Sequence, residues 1–329
     1  MTLHDSGYKH WQGEHLGIWS RRAVIAITGL KSCLQVKWMR YLVTLCWGAA
    51  MAQVAVLFCL GQLLVSDSAV VRWLGTLNPQ FQTIGQVLTT WLEQHPEVSV
   101  RATYDVLFFF FSTPLSTFTL IAIALAIPHL ITRDLSSNAM IVYASKAIGR
   151  FDYLAGKFGT VLGLVALTWL GPVLLAWLLG NFLSPNWGFF WHSRLALGHS
   201  LLFVAAGMLI LGILGLGVSA SSGRARSTVS LWIALWLLGN GLVPIAIQTK
   251  PWLKFLSFKF NLDQISLAIF KLKEDLHVLQ DNLPFLREMM DRRLDQGGWQ
   301  QPELGGAVFG LAIMLVVALV ILIRKARPQ

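Results

Sequence analysis

Six stretches of this chain contain no Asp, Glu, Lys or Arg: Leu42 to Val65, Val106 to Ile131, Gly159 to Phe182, Leu195 to Ala220, Val229 to Ile247 and Gly305 to Ile323. Each is close to the roughly 20 apolar residues that cross a hydrocarbon core of about 30 Å. A soluble core could not absorb them, because hydrophobic residues make up 55% of the sequence, charged residues 13%, and the mean hydropathy is +0.60. In lipid every backbone N–H and C=O must pair within its own segment, and the runs are too long and too evenly apolar to alternate as barrel strands. The reading is an all-α integral membrane protein with six transmembrane helices.

Orientation follows from the Lys and Arg flanking the runs, because cytoplasmic loops keep positive charge. With both ends inside, the inner side holds the six cations before Leu42, those of the 132–157 loop, Arg224 and Arg226, and Arg324, Lys325 and Arg327. The outer side holds only Arg72, Arg101 and Arg194 outside the long 248–304 loop, whose basic and acidic residues balance. Both termini are therefore read as cytoplasmic, and the net charge of +10 as membrane topology. No aromatic-interleaved basic groove points to nucleic acid. Met1 to Ser20 has no apolar run of the signal-peptide kind, so the first span is read as the insertion signal.

Outside the spans, residues 1–41 form an N-terminal segment. In it Trp19 to Arg40 mixes Ile25, Ile27, Leu30, Leu34, Val36 and Trp38 with five cations, the pattern of an interfacial helix that turns into the first span near Arg40 and Tyr41. Short extracytoplasmic helices are expected in the outer loops, 66–105 and 248–304. Phe81, Ile84, Leu88, Trp91 and Leu92 share one helical face between Pro79 and Pro96. In the last loop one helix is expected over Leu262 to Leu279, with a break at Asp281 to Pro284 before a second. Residues 324–329 form a cytoplasmic tail. Cys33, Cys46 and Cys59 read as structural thiols.

The polar, basic segment between the second and third runs carries the most specific signal. Asp134 is placed to cap a helix beginning Leu135, Ser136, Ser137, with Met140, Ile141 and Tyr143 as its apolar face. Further on, Tyr143 to Arg150 reads YASKAIGR and Tyr153 to Lys157 reads YLAGK. The acid after the second span, these two stretches and the order of parts together resemble the permease subunit of the ABC-2 family of ATP-driven exporters. Ala147 stands where that family often has proline, and Ser137-Asn138 where glycine is common.

The resemblance implies a permease that works as a pair, with a second copy or a paralogue. It implies a separate ABC ATPase subunit that holds ATP and Mg, with no cofactor on this chain, which lacks the G-x-x-x-x-G-K-[ST] phosphate loop. The coupling residues it implies are Asp134, Leu135, Ser136, Ser137, Asn138, Met140, Tyr143, Lys146 and Arg150. The implied substrate is hydrophobic or amphipathic, in a bacterial inner membrane, with membrane lipid and an extracytoplasmic protein as further partners. A scaffold that anchors a complex without transporting is the alternative.

Within the spans Gln53, Thr113, Ser116, Thr117 and Asn240 are polar, and in lipid such groups either bond neighbouring helices or line a substrate path. Pro114 and Pro128 are expected to bend the second span. Gly207, Gly212, Gly215 and Gly217, and Gly306 with Gly310, read as close-packing positions. Charge-free spans argue against a proton- or ion-coupled carrier. No His pair has the i, i+4 spacing of a helical metal site, and no span pairs a nucleophile with a base, so neither a metal nor a catalytic residue is assigned.

Overall fold

The structure is a computed structural model that describes residues 17–63, 76, 86–87, 89–91, 94–139, 149–184, 187–283 and 302–325. Among these the regular elements are helices, and no strand is present. They are α1 (Ile18–Leu34), α2 (Lys37–Leu63), α3 (Pro96–Ala126), α4 (Thr132–Ser136), α5 (Arg150–Val165), α6 (Gly171–Phe182), α7 (Gly188–His192), α8 (Arg194–Ser221), α9 (Ala225–Thr249), α10 (Phe258–Ile269), α11 (Leu272–Asn282) and α12 (Leu304–Lys325). Five helical stretches among the described residues are long and apolar enough to cross a membrane: Lys37–Gln62, Pro96–Ser136, Arg150–Phe182, Arg194–Ser221 and Leu304–Lys325. The remaining uncharged run lies in α9, outside that set of five.

Proline sets much of the local geometry. Pro96 opens α3 in its first turn, where a missing N–H costs nothing, and Glu97 beside it suits the positive helix end. The helix thus starts ten residues before the uncharged run. Pro128 stops the ladder of α3, and the chain tightens into a 3₁₀ turn at Ile127–His129 before α4. Pro172 has no N–H to offer the preceding turn, and Ala166–Leu170 widens into a π-helix that joins α5 to α6. The Leu167 carbonyl, which Pro172 cannot serve, accepts a hydrogen bond from Trp47 Nε1 on α2 at 2.9 Å.

Helix α8 lies at the centre, against α3, α5, α9, α10 and α12, while α2 and α12 are the most open of the long helices. Small residues let the backbones close: Trp169 covers Gly207, Phe158 covers Gly212, and the Ala318 backbone lies against Gly217. Gly306 and Gly310 of α12 are covered by Phe255, so this G-x-x-x-G packs on the 3₁₀ stretch Pro251–Leu256 of the same chain.

Helix α1 packs along the first turns of α5, running in the same direction. Ile25 fits over Gly156, Ala26 over Gly159 and Leu30 over Gly163, and the Arg22 guanidinium pairs with Asp152 at 2.6 Å. The turn into α2 falls at Gln35 and Val36, before the expected Arg40 and Tyr41, so Lys37 and Arg40 lie inside the long helix. Cys33 and Cys46 are buried and Cys59 is exposed, all three as free thiols.

The outer loop also departs from expectation. An additional break falls at Phe270 and Lys271, while the helix that follows it ends at Asn282, within the break expected at Asp281 to Pro284. Lys271 adopts a left-handed backbone (φ 46°), and Phe270 is fully buried among Phe109, Phe203 and His199. Anchoring that ring interrupts an amphipathic pattern that reads as continuous. The helix expected after Pro284 lies outside the described residues. So does much of the one expected between Asn78 and Pro96, of which 86–87, 89–91 and 94 are helical.

The α1–α5 seam gives a direct test. Gly156→Leu would push a side chain into Ile25 and the Arg22 carbonyl and is expected to destabilise the fold by about 1–3 kcal/mol. Gly198→Ala, which meets nothing within 4 Å on α8, is expected to stabilise by about 0.5–1 kcal/mol. Thermal unfolding in detergent should place the two variants on opposite sides of the parent; equal losses would contradict the packing.

Candidate functional site

The segment that follows the second long helix is stitched to three others. Where Pro128 ends the regular ladder, the Ile127 carbonyl accepts the Leu130 amide of the 3₁₀ turn at 3.2 Å, and it and the Leu130 carbonyl each take a further donor from another helix. Ser219 on α8 supplies one: its hydroxyl donates to the Ile127 carbonyl at 2.8 Å and accepts from the Ile131 and Thr132 amides at 2.9 and 3.1 Å. Lys157 on α5 supplies the other, donating to the Leu130 carbonyl at 2.6 Å. The Thr132 hydroxyl completes the joint, donating to the Ser219 carbonyl at 2.8 Å and lying 3.4 Å from the Thr228 hydroxyl on α9.

One turn on, Asp134 meets the same lysine. Lys157 Nζ lies 2.7 Å from Asp134 Oδ2, which also accepts the Tyr153 hydroxyl at 2.7 Å. The Lys157 side chain is 7% exposed and that of Asp134 13%. Tyr153 and Lys157 reach the same carboxylate because residues four apart share a helix face. The ammonium also sits 5.6 Å from the Tyr153 ring. A buried pair with this many bonds holds geometry more than it adds net stability.

Among the residues expected to couple, Asp134 lies inside α4 and does not cap it. The helix begins two residues earlier, at Thr132, and the carboxylate turns instead to α5. Leu135 packs on the core, while Ser136 and Ser137 are exposed and donate back to the Arg133 carbonyl. Asn138, also exposed, takes a left-handed backbone (φ 51°). Met140, Tyr143 and Lys146 lie outside the described residues. Arg150 begins α5 and donates to the Ile323 carbonyl in the last turn of α12, a favourable place for a cation.

The residues read as a path do not converge. Thr113 bonds the Phe109 carbonyl, and Ser116 and Thr117 both bond the Thr113 carbonyl, so these hydroxyls serve the backbone of their own helix around Pro114. Gln53 is buried on α2 with its amide nitrogen unpaired, and Asn240 is exposed on α9. The sequence marked Tyr153 and Lys157 only as ends of the YLAGK stretch, without a contact for either, and gave no role to Thr132 or Ser219. A lysine opening an otherwise uncharged run, four residues after a tyrosine, was the available signal for the first two.

A second polar cluster sits at the opposite end. Asp105 on α3 is 1% exposed and accepts from or donates to His199 Nδ1 on α8 at 2.9 Å. Asp275 on α11 is buried beside it, with Arg101 of α3 at 3.9 Å. Burial, and then the neighbouring Asp105 charge and hydrogen bond, push the Asp275 carboxyl up to about 7, against the opposing pull of Arg101 and His199. Close by, Trp177, Ser193, Asn181 and Tyr104 form a buried hydrogen-bonded chain joining α6, the start of α8 and α3. Among the described residues no group of three potential ligands is placed to hold a metal.

Compared with known protein families and with curated proteins, the sequence matches none.

Asp134→Asn or Lys157→Met alone would leave a buried charge unpaired and should cost about 3–5 kcal/mol. The combined variant should recover part of that loss in thermal unfolding; additive losses would contradict a coupled pair. At the other end, docked α11 binds a proton that the undocked helix releases near the ordinary value of 3.8. Docking should therefore weaken as pH rises from about 4 and level off above about 7. Hydrogen exchange of Leu272–Asn282 at pH 5 and pH 8 reads this directly, and Asp275→Asn should remove the difference.

Proposed function

We propose that this chain is the membrane-spanning permease subunit of an ATP-driven ABC-2 type transporter. It has six spans, α9 being the fifth, and both termini in the cytoplasm of a bacterial inner membrane. It works with a second permease copy or paralogue and with a separate ATPase that binds ATP and Mg. The substrate is hydrophobic or amphipathic, moved as the spans reorganise.

The observation that carries this reading is the joint around Thr132 and Asp134. The segment after the second span is bonded to α5 through Lys157 and Tyr153, to α8 through Ser219 and to α9 through Thr228. A push on the loop that follows cannot stay local; it displaces the inner ends of three helices together. Coupling needs an element whose contacts differ between two states, and a stiff joint below a docking loop provides a lever for one. Positive charge supports the orientation. Arg133, Arg150, Arg224, Arg226, Arg324 and Lys325 gather at the joint's end of the bundle, where the Arg150 to Ile323 contact brings α5 and α12 together.

The test is to purify the chain in mild detergent from its native membranes and identify bound proteins by mass spectrometry. A stoichiometric ATPase is expected. Replacing the exposed Arg133, Ser136 and Ser137 with glutamate should release it and abolish its chain-dependent turnover while the bundle stays folded. Recovery of other proteins without any ATPase would reject the transporter and favour a scaffold.

A further inference from the structure

Between α8, α9, α10 and α12 lies a groove of about 290 Å³ walled by apolar side chains, among them Leu214, Trp232, Leu235, Phe258, Ile313 and Ile321. It opens sideways: Leu235 is 42% exposed and Ile313 50%. Along α12 its lining runs from Ile313 to Ile321, about 12 Å at 1.5 Å per residue. That approaches one leaflet's share of the core, about half of 30 Å. All three long walls end at cations. Arg324 stands three residues beyond Ile321, Arg224 three beyond Ser221 on α8, and Arg226 five before Leu231 on α9.

These arginines and Lys325 are exposed, and among the described residues no carboxylate pairs with any of them. We propose that the groove holds one acyl chain of an anionic phospholipid, whose headgroup phosphate lies against Arg224, Arg226, Arg324 and Lys325. The match is one of length and of charge. An apolar trough of leaflet depth suits a lipid tail, and a cluster of exposed cations at the headgroup level favours a net negative charge. Arginine suits this position because its planar fork grips phosphate oxygens two at a time. The inference does not rest on the transport reading, since lipid binding is measured without an ATPase and either can fail alone.

Native mass spectrometry of the purified chain in micelles doped with phosphatidylglycerol or phosphatidylcholine of equal chain length tests it. One retained phosphatidylglycerol per chain is expected, with phosphatidylcholine retained far less. Arg226→Gln with Arg324→Gln should weaken retention about 25-fold, about fivefold per charge, the equivalent of about 1 kcal/mol each. Leu235→Trp, at an exposed position, should fill the trough and release the lipid without lowering the melting temperature. Millimolar inorganic phosphate should not displace the lipid. Equal retention of the two lipids would overturn the proposal, as would displacement by phosphate alone. Retention by the Leu235→Trp variant would do the same, and so would a change in its oligomeric state with lipid unaffected, which would assign the trough to a second copy of the chain.

Discussion

Inside a hydrocarbon core no water is available to a backbone carbonyl that loses its partner, and much of this structure can be read as a response to that fact. α3 runs unbroken through Pro114, whereas Pro128 and Pro172 each interrupt a long helix, and each of these interruptions is met by side chains. Around Pro114 the hydroxyls of Thr113, Ser116 and Thr117 stay within their own helix, on the Phe109 and Thr113 carbonyls. At Pro172 the repair comes from the neighbouring α2 through Trp47. At Pro128 it comes from two other helices through Lys157 and Ser219. The further away the donor, the more the interruption becomes a connection between helices.

Hydropathy made the long helices legible because each apolar run must be housed as a unit, but it misplaced their ends. Charges mark the edge of an uncharged run, not the edge of a helix. Arg101 and Asp105 continue α3 because each finds a partner, Asp275 and His199. The same blindness to partners put the turn after α1 five residues late and joined α10 to α11 across Phe270, whose burial depends on rings distant in sequence. The candidate site was half visible. Asp134 stood out as an acid in a basic loop, whereas Ser219, one small hydroxyl at the end of a long apolar helix, carries no signal until it is seen against the Pro128 turn.

The two ends of the bundle use buried carboxylates in opposite ways. Asp134 faces a lysine, a tyrosine hydroxyl and, among the described residues, no second acid, which holds its surroundings in one arrangement. Asp275 faces another acid as well as an arginine, so its surroundings depend on a proton. One end is fixed by charge matching, and the other is left responsive.

The contact between Arg150 and the Ile323 carbonyl also has a bearing on assembly. The helix that contains Ile323 is made after α5 and α8, and it also covers Gly217 of α8 and lies against Phe255. Until the ribosome has finished it, the start of α5 lacks this anchor and the central helix keeps an open flank. These contacts therefore close only once α12 has been made, and a chain without α12 would have its earlier helices complete but unlatched.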